Sequence, residues 1–154
     1  MPLYRNGEGL MGEQADYKML RMRMKQPLDR LERIENVVGV GTPDVNYCIE
    51  GMEGWIEIKS PTTPKRKGTP LFGSNHKLSQ DQKNWFKRQC NAEGNGFILI
   101  CMKSRWLLID GCWADKVNDL TVMELIDIST WHVNTPIYTG QWETLREALL
   151  CQKL

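Results

Sequence analysis

The chain has 154 residues, 41% of them hydrophobic and 25% charged, with a formal net charge of +1, which suits one compact domain with a single core. No apolar run approaches the ~20 residues of a membrane helix, and the opening MPLYRNGEG lacks an apolar signal core, so neither a membrane partner nor export is expected. Five scattered cysteines, two histidines and no CxxC pair argue against a disulfide framework and a structural zinc site, and point to a reducing, cytoplasmic compartment.

Residues 1–12 carry three glycines and little pattern, which predicts a flexible tail. The spacing of Tyr17, Leu20 and Met24 predicts a helix over 13–26, stopped by Pro27. A short amphipathic turn around Leu28 and Leu31 leads to the β-branched segment Ile34–Val38, read as a strand. Gly39, Gly41 and Pro43 break it. Val45–Ile49 and Trp55–Lys59 read as a hairpin about the glycines of Glu50–Gly54. Residues 60–78 hold three prolines and two glycines and cannot be regular structure. Ser79 and Gln82 form a capping-box signature for a helix that runs to about Ala92 and ends at Gly94-Asn95-Gly96. Phe97–Cys101 and Trp106–Ile109 read as a second hairpin. Beyond it, Thr121-x-x-Glu124 marks one helix start, and Trp142, Leu145 and Leu149 share a face of another. The order helix, three strands, helix, two strands predicts a mixed β-sheet flanked by α-helices.

Charge is unevenly spread. Five basic residues and no acid lie between Lys59 and Lys77, and six basic residues face two acids from Lys18 to Arg33. From Ala114 to Leu150 six acids face two basic residues. Such a chain can offer one face to a polyanion.

The chemistry-bearing set is Asp44 with Glu57-Ile58-Lys59. Alternate strand residues share a face, so Glu57 and Lys59 point the same way. A hairpin centred between Met52 and Glu53 sets Cys48 opposite Glu57 and Asn46 opposite Lys59, with Asp44 one step along the same face. A single bulge would break this parity. Two carboxylates and a backbone carbonyl, that of Ile58, offer hard oxygen ligands to Mg²⁺ or Mn²⁺, ions that assist phosphodiester hydrolysis. Lys59 would orient the nucleophile or stabilise charge developing at phosphorus. The ordinary alternative is a Glu–Lys surface pair on an exposed strand.

Gly39-x-Gly41-x-Pro43-Asp44-Val45 followed by Gly54-Trp55-Ile56-Glu57-Ile58-Lys59 resembles the stand-alone VRR-NUC (virus-type replication-repair nuclease) domains of the PD-(D/E)xK superfamily, often phage-encoded, and more loosely the archaeal Holliday junction resolvases. The likeness covers about residues 10–110. It implies an α/β, restriction-endonuclease-like fold and a Mg²⁺/Mn²⁺-dependent endonuclease acting on duplex, branched or flap DNA, in a host cytoplasm if phage-encoded. It further implies Asp44 and Glu57 as metal ligands and Lys59 as the catalytic lysine. An acid near the start of the first helix completes the metal site, and Glu13 stands there. A glutamine on the following helix approaches the site, and Gln82 matches it.

Glu13 could otherwise serve only the helix dipole, and Gln82 only its capping box. Glu35 is a rival metal ligand, with pairing to Arg33 or to the basic loop as its alternative. Lys65, Arg66, Lys67 and Lys77 would grip phosphates from the loop after Lys59, whose ordinary alternative is a solvated linker, and Arg21, Arg23 and Lys25 would extend the basic face or only solvate their helix. The domain reading is a tail over 1–12, a nuclease core over 13–110 and an extension over 111–154. The helix of Trp142, Leu145 and Leu149 in that extension packs on the core or forms a homodimer seam, and the sequence leaves both open. A resolvase acting as a dimer and a catalytically inactive nucleic-acid-binding protein of nuclease-like fold are the rival readings.

Overall fold

In the computed structural model, residues 9–34, 39–73 and 76–150 are described. Helix α1 spans Gly9–Met24. It starts inside the stretch read as a tail and stops before Pro27, which cannot continue a helix. Leu20 and Met24 are buried, as their spacing requires.

Strand β1 is Arg30–Arg33, not Ile34–Val38. Ile34 lies beyond its end, and residues 35–38, with the candidate ligand Glu35, lie outside the described residues. Leu31 is the buried centre of β1, and Leu28 is fully exposed rather than part of an amphipathic turn. The difference has a physical reason. β1 is an edge strand, paired only with β2 (Val45–Ile49), and an edge tolerates the charges of Arg30, Glu32 and Arg33.

Strand β3, Met52–Lys59, returns from β2 through a two-residue turn. Glu50 and Gly51 both have positive φ, 52° and 79°, the geometry that matches strand twist in tight hairpins. Cys48 therefore faces Glu53, and Val45 faces Ile56. The hairpin centre lies two residues earlier than the glycine pattern suggests, so Cys48 is not opposite Glu57. The slip is even, which leaves every side chain on its expected face. One step past Val45 and Ile56, the ladder sets Asp44 across from Glu57.

Helix α2 (Gln80–Asn91) is the crossover that lets β3 run parallel to β4 (Gly96–Cys101), and β5 (Arg105–Asp110) pairs antiparallel to β4. Its cap is the expected one: Ser79 and Gln82 exchange side-chain-to-backbone hydrogen bonds. Two 3-10 turns follow, then α3 (Val122–Ile128), capped by Thr121 and Glu124. Strand β6 (Trp131–Asn134) and α4 (Thr139–Leu150) end the described chain. The result is one mixed sheet in the order β1-β2-β3-β4-β5-β6, an α/β arrangement as expected, with β6 as an element the sequence did not announce.

The sheet carries a core on each face. Leu31, Val45, Tyr47, Ile56, Ile58, Phe97, Leu99, Trp106 and Leu108 pack beneath α1 and α4. Ile98, Ile100, Leu107 and Ile109 pack with Phe86 of α2, Leu125 of α3, and Leu71, Phe72 and Leu78. Each such side chain, fully buried, contributes about 1.5–3 kcal/mol. Trp142, Leu145 and Leu149 of α4 belong to the first core, and Trp142 meets Trp106 edge to face at 5.5 Å. Buried Arg146 of α4 also pairs with Asp29 at 2.8 Å. This face of α4 is occupied by its own chain. Trp85 is only half-buried, edge-on to Trp55 and Phe86.

The cysteine reading needs one correction. Cys90 and Cys112 form a disulfide, because the end of α2 packs on the 3-10 turn Gly111–Trp113 and brings their Cα atoms to 5.4 Å. Cys48 and Cys101 are free. No described helix is long and apolar enough to cross a membrane.

Candidate active site

The site forms where β3 leaves the sheet. Glu57 and Lys59 are two apart on β3 and face the α2 side. Lys59 Nζ lies 3.3 Å from Glu57 Oε1, and both side chains are shielded, 12% and 3% exposed. This is not the exposed surface pair that a strand face would ordinarily carry.

Gln82 of α2 donates through Nε2 to the same Glu57 oxygen at 2.7 Å. Its Oε1 meanwhile accepts from the Ser79 backbone N–H at 2.9 Å. Capping and site contact are not alternatives for Gln82: one carboxamide does both, and so ties the start of α2 to β3.

Asp44 joins through the backbone. Its Oδ2 accepts from the Ile58 N–H at 3.2 Å. The N–H and C=O of one strand residue point to the same edge, so the Ile58 carbonyl also faces Asp44. The Asp44 carbonyl accepts from the Ile34 N–H at 2.7 Å, which fixes the loop between β1 and β2.

That loop needs Gly41. Its φ is +83°, and a Cβ there would lie 2.4 Å from the Asp81 carbonyl oxygen and 2.8 Å from the Gln82 nitrogen. The loop is thus pressed against the first turn of α2, between Asp44 and Gln82. Gly51 has nearly the same φ, +79°, with nothing within 4 Å of a Cβ. Gly51→Ala is expected to cost about 1–2 kcal/mol from backbone strain alone. Gly41→Ala should cost clearly more and also disturb Asp44. Denaturant unfolding of both variants, equal losses in which would contradict the close approach, checks this.

The carboxylates crowd one another. Burial, then the charge of Asp44, push the Glu57 carboxyl up to about 8, against the opposing pull of Lys59. Burial likewise raises Asp44 and Glu13 above the usual carboxylate range. Asp44 and Glu57 interact side chain to side chain, yet among the described residues no donor reaches the buried Glu57 Oε2. A proton or a cation between the two would remove both penalties.

Glu13 comes within electrostatic reach of Asp44 and Lys59 from the start of α1. Among the described residues, however, no three His, Cys, Asp or Glu side chains converge closely enough to hold an ion by themselves. The donor set that fits a hard divalent cation is Asp44, Glu57 and the Ile58 carbonyl. Mg²⁺ is commonly held by one or two carboxylates with water or phosphate completing its shell, so two carboxylates suffice and Glu13 stands further out.

The basic candidates divide by place. Lys65, Arg66, Lys67 and Lys77 are exposed on the segment after Lys59. That segment is no loose linker: Leu71, Phe72 and Leu78 are buried, and Asn118 holds both backbone groups of Leu78, at 2.9 and 3.0 Å. Arg21 lines a groove beside α1, and Arg23 is exposed outside it.

Two residues were missed. Buried Asp16 accepts from the Ser60 hydroxyl at 2.6 Å and pins α1 to the end of β3. It stands one turn after Glu13, on the same stripe as Leu20, and that spacing was its signal. His76 lies within electrostatic reach of Lys59, and burial, then Lys59, lower its pKa. Nothing in its local sequence marked it.

No family model matches the chain, and no curated protein matches it. Among solved structures it is similar to Hjc, a Holliday junction resolvase from the archaeal hyperthermophile Archaeoglobus fulgidus, at 17% identity over 68% of this chain and 73% of that one, with a TM-score of 0.43. A likeness of that size reaches no further than the course of the chain.

Proposed function

We propose that the protein is a Mg²⁺- or Mn²⁺-dependent endonuclease of the PD-(D/E)xK type that hydrolyses DNA phosphodiester bonds. The observation that carries this reading is Glu57: a buried carboxylate with a lysine and a glutamine on one oxygen and no donor on the other, beside a second carboxylate. A module that only bound nucleic acid would gain nothing from setting a buried acid beside a part-buried one where a phosphate must approach. The VRR-NUC resemblance belongs with this reading.

Asp44, Glu57 and the Ile58 carbonyl would hold the ion, with Glu13 adding charge from α1. When bound, the ion supplies Lewis acidity and charge neutralisation at the phosphate. Lys59 places an ammonium beside the scissile phosphate, where negative charge grows during in-line attack. Gln82 holds Glu57 through Oε1, which leaves the buried Oε2 open to an ion. Lys65, Arg66, Lys67 and Lys77 would hold phosphates on the side where the chain leaves β3.

The test is cleavage of plain duplex, flap, splayed and four-way-junction DNA in Mn²⁺ and Mg²⁺, beside a Glu57→Ala control. Nicking or cutting that needs the metal and stops in EDTA is expected. Activity that persists in chelator, or that Glu57→Ala leaves intact, would exclude the mechanism. Salt-sensitive binding without cleavage in either metal would favour a binding protein.

A further inference from the structure

Outside the carboxylate cluster, an open groove of about 680 Å³ lies between α1 and the segment Gln26–Arg33. Lys18, Arg21 and Lys25 stand along it at helical spacing, Arg33 closes it from β1, and no acid is among its described lining residues. Its floor is less polar. Tyr17 lies in it half-buried, and Met22, 70% exposed, stands beside. The Tyr17 ring is fixed at its far end, where the hydroxyl accepts from the Arg33 N–H at 3.1 Å and donates to the Leu31 carbonyl at 3.2 Å. A ring held in place forfeits little entropy when something stacks on it.

The groove also adjoins the site. Arg33 precedes Ile34, whose N–H holds the Asp44 carbonyl, and the Arg33 charge acts on both Glu13 and Asp44. The segment after Lys59 carries further exposed cations, Lys65, Arg66, Lys67 and Lys77.

We propose that this groove binds an unpaired nucleic-acid strand next to the scissile phosphate, with Lys18, Arg21, Lys25 and Arg33 on its phosphates and a base against Tyr17 and Met22. Cations along a backbone track, with an aromatic ring for base faces, are what single strands require. A duplex stacks its base faces inside and would leave Tyr17 and Met22 without a base to meet. The proposal rests on the nuclease reading only for what happens to the strand. It assigns the substrate class: DNA with a single strand emerging beside the cut, as in flaps and splayed arms.

The experiment measures binding of a short oligothymidine, an abasic strand of equal length and a blunt duplex, in EDTA, to the full chain carrying Glu57→Gln. Adding Lys18→Ala, Arg21→Ala and Lys25→Ala together should flatten the slope of log K against log salt by about 2 for the oligothymidine, at roughly 0.7 per cation for single strands. The affinity loss should be at least about ten-fold greater for that strand than for the duplex. Adding Tyr17→Leu should weaken oligothymidine about 5- to 100-fold and leave the abasic strand little changed. If Tyr17→Leu fails to fold, photo-cross-linking of an iodouracil strand to otherwise unaltered chain should map to Tyr17 or Met22. An unchanged salt slope, equal losses on strand and duplex, or cross-links confined elsewhere would overturn the proposal. Groove-dependent binding with no cleavage in any metal would sink the nuclease reading and leave the groove. Metal-dependent cleavage with an unchanged salt slope would do the reverse.

Discussion

Replacing Lys59 with alanine is expected to slow DNA cleavage by about 10²–10⁴-fold, with DNA binding largely kept. A group that meets charge present only in the transition state contributes to rate and not to ground-state affinity. The size corresponds to about 2.7–5.4 kcal/mol, the lower part of which is what losing one well-placed donor to a developing anion costs. The site offers a second explanation that must be separated from this one. Lys59 lies 3.3 Å from Glu57 Oε1 and is the cation that helps keep that carboxylate charged. Without it, Glu57 would hold its proton to higher pH, and the donor set for the ion would weaken.

The two roles differ in what rescues the variant. If Lys59 only kept Glu57 ionised, saturating with Mn²⁺, or raising the pH well past the value of about 8 that Glu57 has with Lys59 in place, would restore the Lys59→Ala rate, because either forces the proton off. If Lys59 serves the reacting phosphate, the rate stays low at every pH and metal concentration. The second outcome is expected. Single-turnover rates across pH 6–9 at several Mn²⁺ concentrations decide it, and full rescue would reduce Lys59 to a positioning residue.

How far the sequence revealed this site depended on parity more than on position. The glycines of Glu50–Gly54 misplaced the hairpin centre by two residues, yet Asp44, Glu57 and Lys59 kept their common face because the error was even. Where the signal was local, as at Ser79 with Gln82 or Thr121 with Glu124, the elements lie where expected. Where it depended on partners, it failed. β1 is a charged edge strand that only its pairing with β2 makes regular, and β6 is four residues long, too short for the alternation of Trp131 and Val133 to stand out. The contact between Gln82 and Glu57 spans 25 residues and the Cys90–Cys112 bridge 22, and both are products of α2 packing on the sheet. No spacing within the sequence encodes such contacts.

Glu57→Gln is expected to abolish detectable cleavage while making the metal-free protein more stable near neutral pH. The sign follows from proton binding. The Glu57 carboxyl sits at about 8 when folded, against 4.5 for the ordinary side chain. Below pH 4.5 both states hold the proton, and the group leaves stability unaffected. Between 4.5 and 8 the unfolded chain releases it while the folded chain keeps it, so stability falls as pH rises, at up to about 1.4 kcal/mol per pH unit. Above 8 the loss is complete. Asp44 and Glu13 are shifted the same way and add to the trend. A carboxamide in place of the carboxylate needs no proton, and its oxygen can still accept from Gln82. At pH 7 the gain has an upper bound of about 3 kcal/mol, roughly 6–12 °C in Tm for a chain of this size. Melting curves in EDTA at pH 5 and pH 7.5 should therefore separate the variant from the parent far more at the higher pH. Saturating Mg²⁺ should then raise the Tm of the parent by mass action, with a smaller rise in the variant, which has lost one of two carboxylate ligands. A variant less stable than its parent in EDTA at pH 7.5 would show that Glu57 rests unstrained as an anion, and the reason for placing a cation beside it would be gone.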